Sequence, residues 1–289
     1  MDLRPVTLRG KYNAVVELIM NIKKISKRLL VALPIFGLVL WFIPWVLAFW
    51  VICGVIDVLR NKSANALTYN RYFLGNGVLT WMLSPFNLFV DLLSYRNPGI
   101  YRLEDFPPAY QAEINEVLGV FKAQKPQIIS EIDAKFEKGR RGMYVFRWFG
   151  QKNIQNVPEL NRDFKYLKTI AVSVFSGKES TSWHYGPLRM SLRILYNMQP
   201  ADTDLVFIEC NGVKQQWNKD PLFIFDDTLM HRSVNDYDAR RYNVFMDIVR
   251  PSPVPGLISA MLLVVSRSVE RINALFYKNW TMIGGAKKS

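Results

Sequence analysis

Between Lys168 and Arg250 the chain reads as five short runs: Ile170–Phe175 (IAVSVF), Leu192–Met198 (LRILYNM), Leu205–Ile208 (LVFI), Leu222–Phe225 (LFIF) and Tyr242–Val249 (YNVFMDIV). All are rich in β-branched and aromatic residues and are bounded by turn formers, so each predicts a strand. Asn211-Gly212, between the third run and Val213–Trp217, is a strong hairpin signal. No ten-residue helical pattern separates the runs. That excludes a doubly wound α/β sheet and predicts an antiparallel sandwich or jelly roll. Upstream, Phe106-Pro107-Pro108 marks a break. Ile114, Val117, Leu118 and Phe121 then recur at helical spacing, with a second helical piece, Ile128 to Phe136, after Pro126.

The 289 residues are half hydrophobic, which excludes a disordered chain. Two cysteines, Cys53 and Cys210, make no disulfide framework and suit a reducing compartment. There is no phosphate-binding glycine loop, Cys-x-x-Cys pair or internal repeat. The 37 Lys+Arg against 24 Asp+Glu give a formal charge of +13, which calls for an anionic partner.

Leu29 to Ile56 carries no charged side chain, and it ends at Asp57. About 20 such residues cross a bilayer core, and Trp41, Trp45 and Trp50 suit its interfaces. The basic flank from Arg4 to Arg28 is then cytoplasmic. Pro34 and Pro44 interrupt the run, so a single crossing and a re-entrant hairpin both remain open. Tyr72–Tyr95 is aromatic and leucine-rich; Val254–Val265, followed by Arg267, Arg271, Lys278 and Trp280, reads as an amphipathic interfacial helix. Both segments could equally pack on the soluble part. The basic surplus beside membrane-seeking sequence points to an anionic membrane as partner rather than to nucleic acid. Three regions are expected: residues 1–100 as anchor, with the apolar run at 29–56 and an interfacial segment at 72–95, residues 101–251 as catalytic domain, and residues 252–289 as interfacial tail. In Lys138–Trp148, cations alternate with aromatics. Arg140, Arg141 and Arg147 are candidates for a phosphate clamp, or form a solvated turn leading into a strand.

The chain has only two histidines. His184 lies in Ser182-Trp183-His184-Tyr185-Gly186-Pro187, before a strand. His231 follows Phe225-Asp226-Asp227, after one. A metal pair and two unrelated structural histidines both fit this spacing, and no third ligand is evident.

These residues resemble the aspartyl/asparaginyl β-hydroxylase family, iron(II)- and 2-oxoglutarate-dependent oxygenases with a double-stranded β-helix (jelly roll), which includes bacterial lipid A hydroxylases. The likeness covers roughly residues 100–251. His184-Tyr185-Gly186-Pro187 with Arg193 resembles the first metal histidine and its downstream arginine. Phe225-Asp226-Asp227 with His231 and Asn235-Asp236 resembles the second-histidine motif. Arg241, with Asp247 and Pro251, matches the arginine that grips the distal carboxylate of 2-oxoglutarate, and Ser173 a cosubstrate-binding serine.

The resemblance therefore implies a mainly β catalytic domain with flanking helices and an N-terminal membrane-embedded helical segment. It implies His184 and His231 as iron ligands, Ser173 and Arg241 as cosubstrate residues, and Arg193 as a substrate residue. Gly186 stands where a facial triad has its carboxylate, Leu195 where the family has a further histidine, and Ser191 where it has a second substrate arginine. The last departure argues against an acidic or amide side chain as substrate. Asp226 or Asp227 could orient His231, or form only a turn. The expected activity is O2-dependent hydroxylation of a lipid acyl chain, lipid A or another anionic bacterial lipid, at the inner membrane with the domain facing the cytoplasm. A peptide hydroxylase and a non-catalytic membrane protein are the alternatives.

Overall fold

The computed structural model describes residues 40–75, 77–136, 139–154, 156–276 and 280–283, with isolated positions before Leu40; the side chains of 267–276 are outside that description. The basic flank from Arg4 to Arg28, with Lys138, Lys278 and the arginines of the C-terminal segment, therefore lies outside the described residues or side chains. Residues Met1–Ile52 and Cys53–Ser289 form two compact units.

Helix α1, Leu40–Leu59, is long and apolar enough to cross a membrane, with a mean hydropathy of 2.2. It runs unbroken through Pro44, so Pro44 does not turn a hairpin; Pro34 falls where too few neighbours are described to follow the chain. The sharp bend comes later. Helices α2, Ala66–Phe73, and α3, Val78–Leu92, meet at 91°. Asn65 caps α2 by accepting from the Thr68 N–H. Helices α4, Pro108–Ala123, and α5, Lys125–Lys135, each carry a proline in the first turn, where its missing N–H costs nothing. Helix α6 is Pro255–Phe276.

The protein is mainly β. Its strands are β1 Ile100–Tyr101, β2 Arg141–Trp148, β3 Gln151–Lys152, β4 Leu167–Phe175, β5 Glu179–Ser180, β6 Ser191–Asn197, β7 Val206–Cys210, β8 Val213–Gln216, β9 Leu222–Phe225, β10 His231–Asn235, β11 Arg241–Val249 and β12 Thr281–Ile283. One sheet runs β1-β9-β6-β11-β4-β2-β12, with β3 on the edge of β2; the other runs β5-β10-β7-β8. The β7–β8 turn is the expected hairpin, with Asn211 and Gly212 both at positive φ.

Even-numbered residues of the large sheet (Tyr144, Val172, Ile194, Val244, Ile248) pack under α4 and α5. Odd-numbered ones (Val145, Ala171, Leu195, Phe245) meet Val206, Ile208 and Cys210 of the small sheet. Because both faces are covered, β4 and β11 are buried along their whole length and carry β-branched and aromatic residues on both faces, with polar side chains such as Ser173 and Asn243 among them. The C-terminal tail departs from an interfacial reading at Trp280, which lies edge-on to Phe175 while β12 pairs with β2.

Candidate active site

Strand β10 begins at His231, and its backbone N–H and C=O exchange 3.0 Å hydrogen bonds with those of His184. This isolated bridge brings residues 47 positions apart side by side, their ring centroids 4.2 Å apart. His184 Nδ1 lies 2.8 Å from the Ser182 carbonyl and His231 Nδ1 2.8 Å from the Leu229 carbonyl. A carbonyl only accepts, so each Nδ1 carries the proton and each Nε2 keeps its lone pair. Burial lowers the pKa of His184 to about 4 and that of His231 well below its ordinary value. Both rings are neutral near pH 7, the state a metal needs. The aspartates do not orient His231; the Leu229 carbonyl does.

Those aspartates do other work. Asp226, fully buried, accepts from Arg60 and Asn97 at 2.6 Å each and from the Thr228 hydroxyl. Burial alone would raise its pKa, but Arg60 and Arg189 hold it well below the usual carboxylate range. Asp227 turns toward Gly186. A Cβ at Gly186 would coincide with the Asp227 carboxylate, so the space left by the missing side chain two residues after His184 holds a carboxylate from another loop. Arg193 ties Asp227 and Asp247 together at 3.0 Å each and stacks on Phe245. One cation between two carboxylates leaves a negative surplus; burial first, then Asp247 and Asp226 against the pull of Arg193, pushes Asp227 up to about 7. Among the described residues no group of three or more His, Cys, Asp or Glu side chains is placed to hold a metal.

Arg241 is also inside. It is 3% exposed, its Nη1 donates to the Val234 carbonyl of β10 at 3.3 Å, and its guanidinium lies 4.0 Å over the Phe175 ring. Its Nε has no hydrogen-bond partner, and burial lowers its pKa to about 9 with no carboxylate to offset it. A buried guanidinium with an unpaired Nε and no carboxylate partner among the described residues is a candidate site for a carboxylate. Ser173 pairs with Asn243, two residues along β11 on the same inner face, and donates to the Asn243 carbonyl at 3.3 Å.

The basic loop is less available than its sequence suggests. Arg140 and Arg141 share Glu179, each at 2.7 Å. Arg147 is buried and donates to the carbonyls of Gly150 and Arg162, which removes it from a phosphate clamp. Arg193, committed to Asp227 and Asp247, holds the site together rather than reaching out. A cavity of about 400 Å³ at Tyr95, Arg96, Tyr101, Asp105 and Pro251 includes none of these residues.

The supporting network was not read from the sequence. Fully buried Arg189 bonds Asp57 at 2.6 Å and Asp91 at 2.7 Å; Arg250 also bonds Asp91, and the Asn61 side chain accepts from the Met230 N–H. The available signal was a lone Asp57 closing an apolar run and a lone Asp91 within a leucine-rich helix.

With this geometry in view, the family model described as aspartyl/asparaginyl beta-hydroxylase matches residues 112–251. That segment is thus similar to an aspartyl/asparaginyl hydroxylase-like family. The match takes in both histidines, Asp227, Arg193 and Arg241. The chain is also 26% identical over 222 residues to an ornithine lipid ester-linked acyl 2-hydroxylase of Rhizobium tropici, covering 70% of this chain and 76% of that one. Among solved structures, an oxalate oxidase in complex with glycolate aligns at TM-score 0.27 and 14% identity, covering 48% of this chain and 79% of that one. A salicylate 1,2-dioxygenase from Pseudoaminobacter salicylatoxidans aligns at 0.29 and 9%, covering 60% and 45%. Likenesses this slight bear on neither fold detail nor activity.

Proposed function

We propose that the protein is a membrane-bound, iron(II)- and 2-oxoglutarate-dependent dioxygenase that hydroxylates the acyl chain of a bacterial membrane lipid. The observation that carries this reading is the bridged histidine pair, with both Nδ1 atoms tied to carbonyls, in the same β interior as a buried Arg241 whose Nε has no partner. The residues fit the groups they would hold. His184 and His231 would bind iron through Nε2, and Arg241, beside Ser173, would take the distal carboxylate of 2-oxoglutarate. Iron(II), 2-oxoglutarate and O2 together would supply the oxidising power for insertion of oxygen into a C–H bond, with succinate and CO2 as co-products.

The remaining residues position and exclude. Carbonyls of Ser182 and Leu229 fix the imidazole tautomers; Arg193 holds Asp227 against Gly186; Leu195, Phe225 and Phe245 keep the interior apolar. The strand orders β9-β6-β11-β4 and β5-β10-β7-β8 support a jelly-roll reading. The lipid substrate is supported by the similarity to an acyl hydroxylase and by α1. Lipid A and an aminolipid of the kind named for that relative are the two candidate classes. The commitment of Arg193 to two aspartates argues against an acidic peptide side chain as substrate. A cytoplasmic face would give the site 2-oxoglutarate and reduced iron.

The test is lipid mass spectrometry of cells with the wild type, with His184→Ala, and without the protein. One lipid class should gain a single oxygen only with the wild type, and purified protein should release succinate only with iron and that lipid. No oxygen difference in any lipid class would defeat the reading.

A further inference from the structure

Helix α3 is amphipathic the wrong way round for a water-soluble protein. Thr80, Ser84, Asn87 and Asp91 fall at successive helical turns on its inner face, and the first three are fully buried. Three of these side chains grip the histidine loop. The Thr80 hydroxyl donates to the Gly186 carbonyl at 2.5 Å; Asn87 donates to the Pro187 carbonyl and accepts from the Arg189 N–H, at 3.1 Å each; Asp91 pairs with Arg189. The opposite stripe, Val78, Met82, Phe89 and Leu92, is 40%, 58%, 49% and 84% exposed. Apart from Val90, which packs in a core cluster with Met190 and Val249, the buried side chains of α3 are polar, and an apolar stripe left outside in this way suits an apolar exterior.

Two further observations identify that exterior. The apolar surface continues onto α2 through Leu67 and Leu74 and onto the end of α1 through Ile56 and Leu59. These helices are packed together: a Cβ at Gly54 would lie 2.6 Å from Trp81 and 2.8 Å from Phe73. Residues 53–102 also contain five cations and two carboxylates, and both carboxylates, Asp57 and Asp91, are committed to arginines. Lys62, Arg96 and Arg102 are exposed. An apolar face whose flanking sequence carries exposed cations fits an anionic bilayer.

We propose that the α2–α3 elbow lies in the interfacial layer of an anionic membrane, apolar stripe down, and that α3 thereby holds the His184–Arg189 loop one helix diameter, about 10 Å, from the lipid surface. Its meaning as the entry for an acyl chain rests on the function proposed above; the seat itself does not.

Full-length protein in phosphatidylglycerol-containing nanodiscs tests the seat. The native cysteines are buried, so a fluorophore can be attached selectively at Met82→Cys, Phe89→Cys or, as a control on an exposed loop, Asp202→Cys. Labels at 82 and 89 should be quenched by brominated lipid, and quenched by aqueous iodide at least about fivefold less than at 202. Iodide quenching at 82 and 89 equal to that at 202, without bromolipid quenching, would overturn the proposal. Where lipid turnover is detected, Met82→Glu/Phe89→Glu should lower the ratio of bilayer to detergent-dispersed turnover about tenfold; an unchanged ratio would overturn the entry role. If no lipid is hydroxylated, the proposed function fails, while the quenching still decides the seat.

Discussion

A buried guanidinium without a counter-ion is expensive, and Arg241 is one. Its cost is reversed by an anion, so the free protein should be less stable than an apolar variant and the liganded protein more stable. Arg241→Met should raise free-protein stability by about 1–3 kcal/mol, since replacing a buried charge by a hydrophobe of similar volume is often stabilising. The wild type should then gain about 2.7 kcal/mol at 2-oxoglutarate a hundredfold above its Kd, and the variant nothing. Thermal denaturation with and without 2-oxoglutarate or succinate reads both effects; equal ligand response in the two proteins would remove Arg241 from the cosubstrate site. At this scale the sequence was informative wherever a residue type is scarce or chemically singular. Two histidines in 289 residues, and an arginine opening a strand that is buried along its whole length, stand out. The partnership of Asp227 with Gly186 did not, because it joins two loops through space and leaves no spacing to read.

At the scale of elements, strands buried on both faces were the most legible, because a continuous β-branched run has few other uses. Strand β10 was missed. Its sequence, His231-Arg232-Ser233-Val234-Asn235, alternates buried and half-buried side chains of which only Val234 is apolar, and only pairing with β7 and β5 makes it a strand. Helix α3 was legible as an aromatic and leucine-rich segment but its inner, polar face was not, since its polar residues acquire meaning only from the loop they hold. That asymmetry predicts opposite sensitivities on its two faces. Asn87→Leu removes the donor to Pro187 and strands the buried Arg189 N–H, at a cost of about 2 kcal/mol or more, whereas Met82→Leu on the outer stripe should stay within about 0.5 kcal/mol. Chemical denaturation of the two variants in the same lipid mixture compares them. An equal loss on both faces would mean that α3 packs by its apolar stripe.

Among the described residues, some basic side chains, such as Lys62 and Arg96, are exposed, and others are buried where they join segments far apart in sequence. Arg189 joins Asp57 at the end of α1 to Asp91 on α3, Arg250 follows β11 onto the same Asp91, and Arg60 reaches Asp226 on the loop before His231. Composition counts all of these as one number and cannot separate them. The buried arginine is also the one whose loss should be felt at a distance. Arg189→Leu leaves Asp57 buried without its guanidinium and Asp91 with Arg250 alone, which should cost about 3–5 kcal/mol. By contrast, Arg232→Ala, whose pair with Glu209 is partly exposed, should cost under about 1 kcal/mol. Because Arg189 also bonds Thr228, and Thr228 bonds Asp226, its loss should loosen the 226–230 loop whose Leu229 carbonyl sets the His231 tautomer. Stabilisation by iron(II) with 2-oxoglutarate should therefore shrink in Arg189→Leu and persist in Arg232→Ala, measured by thermal denaturation with and without the pair of ligands. An Arg189→Leu protein that is destabilised yet keeps the full ligand response would show that the ion-pair network anchors the helices without governing the site.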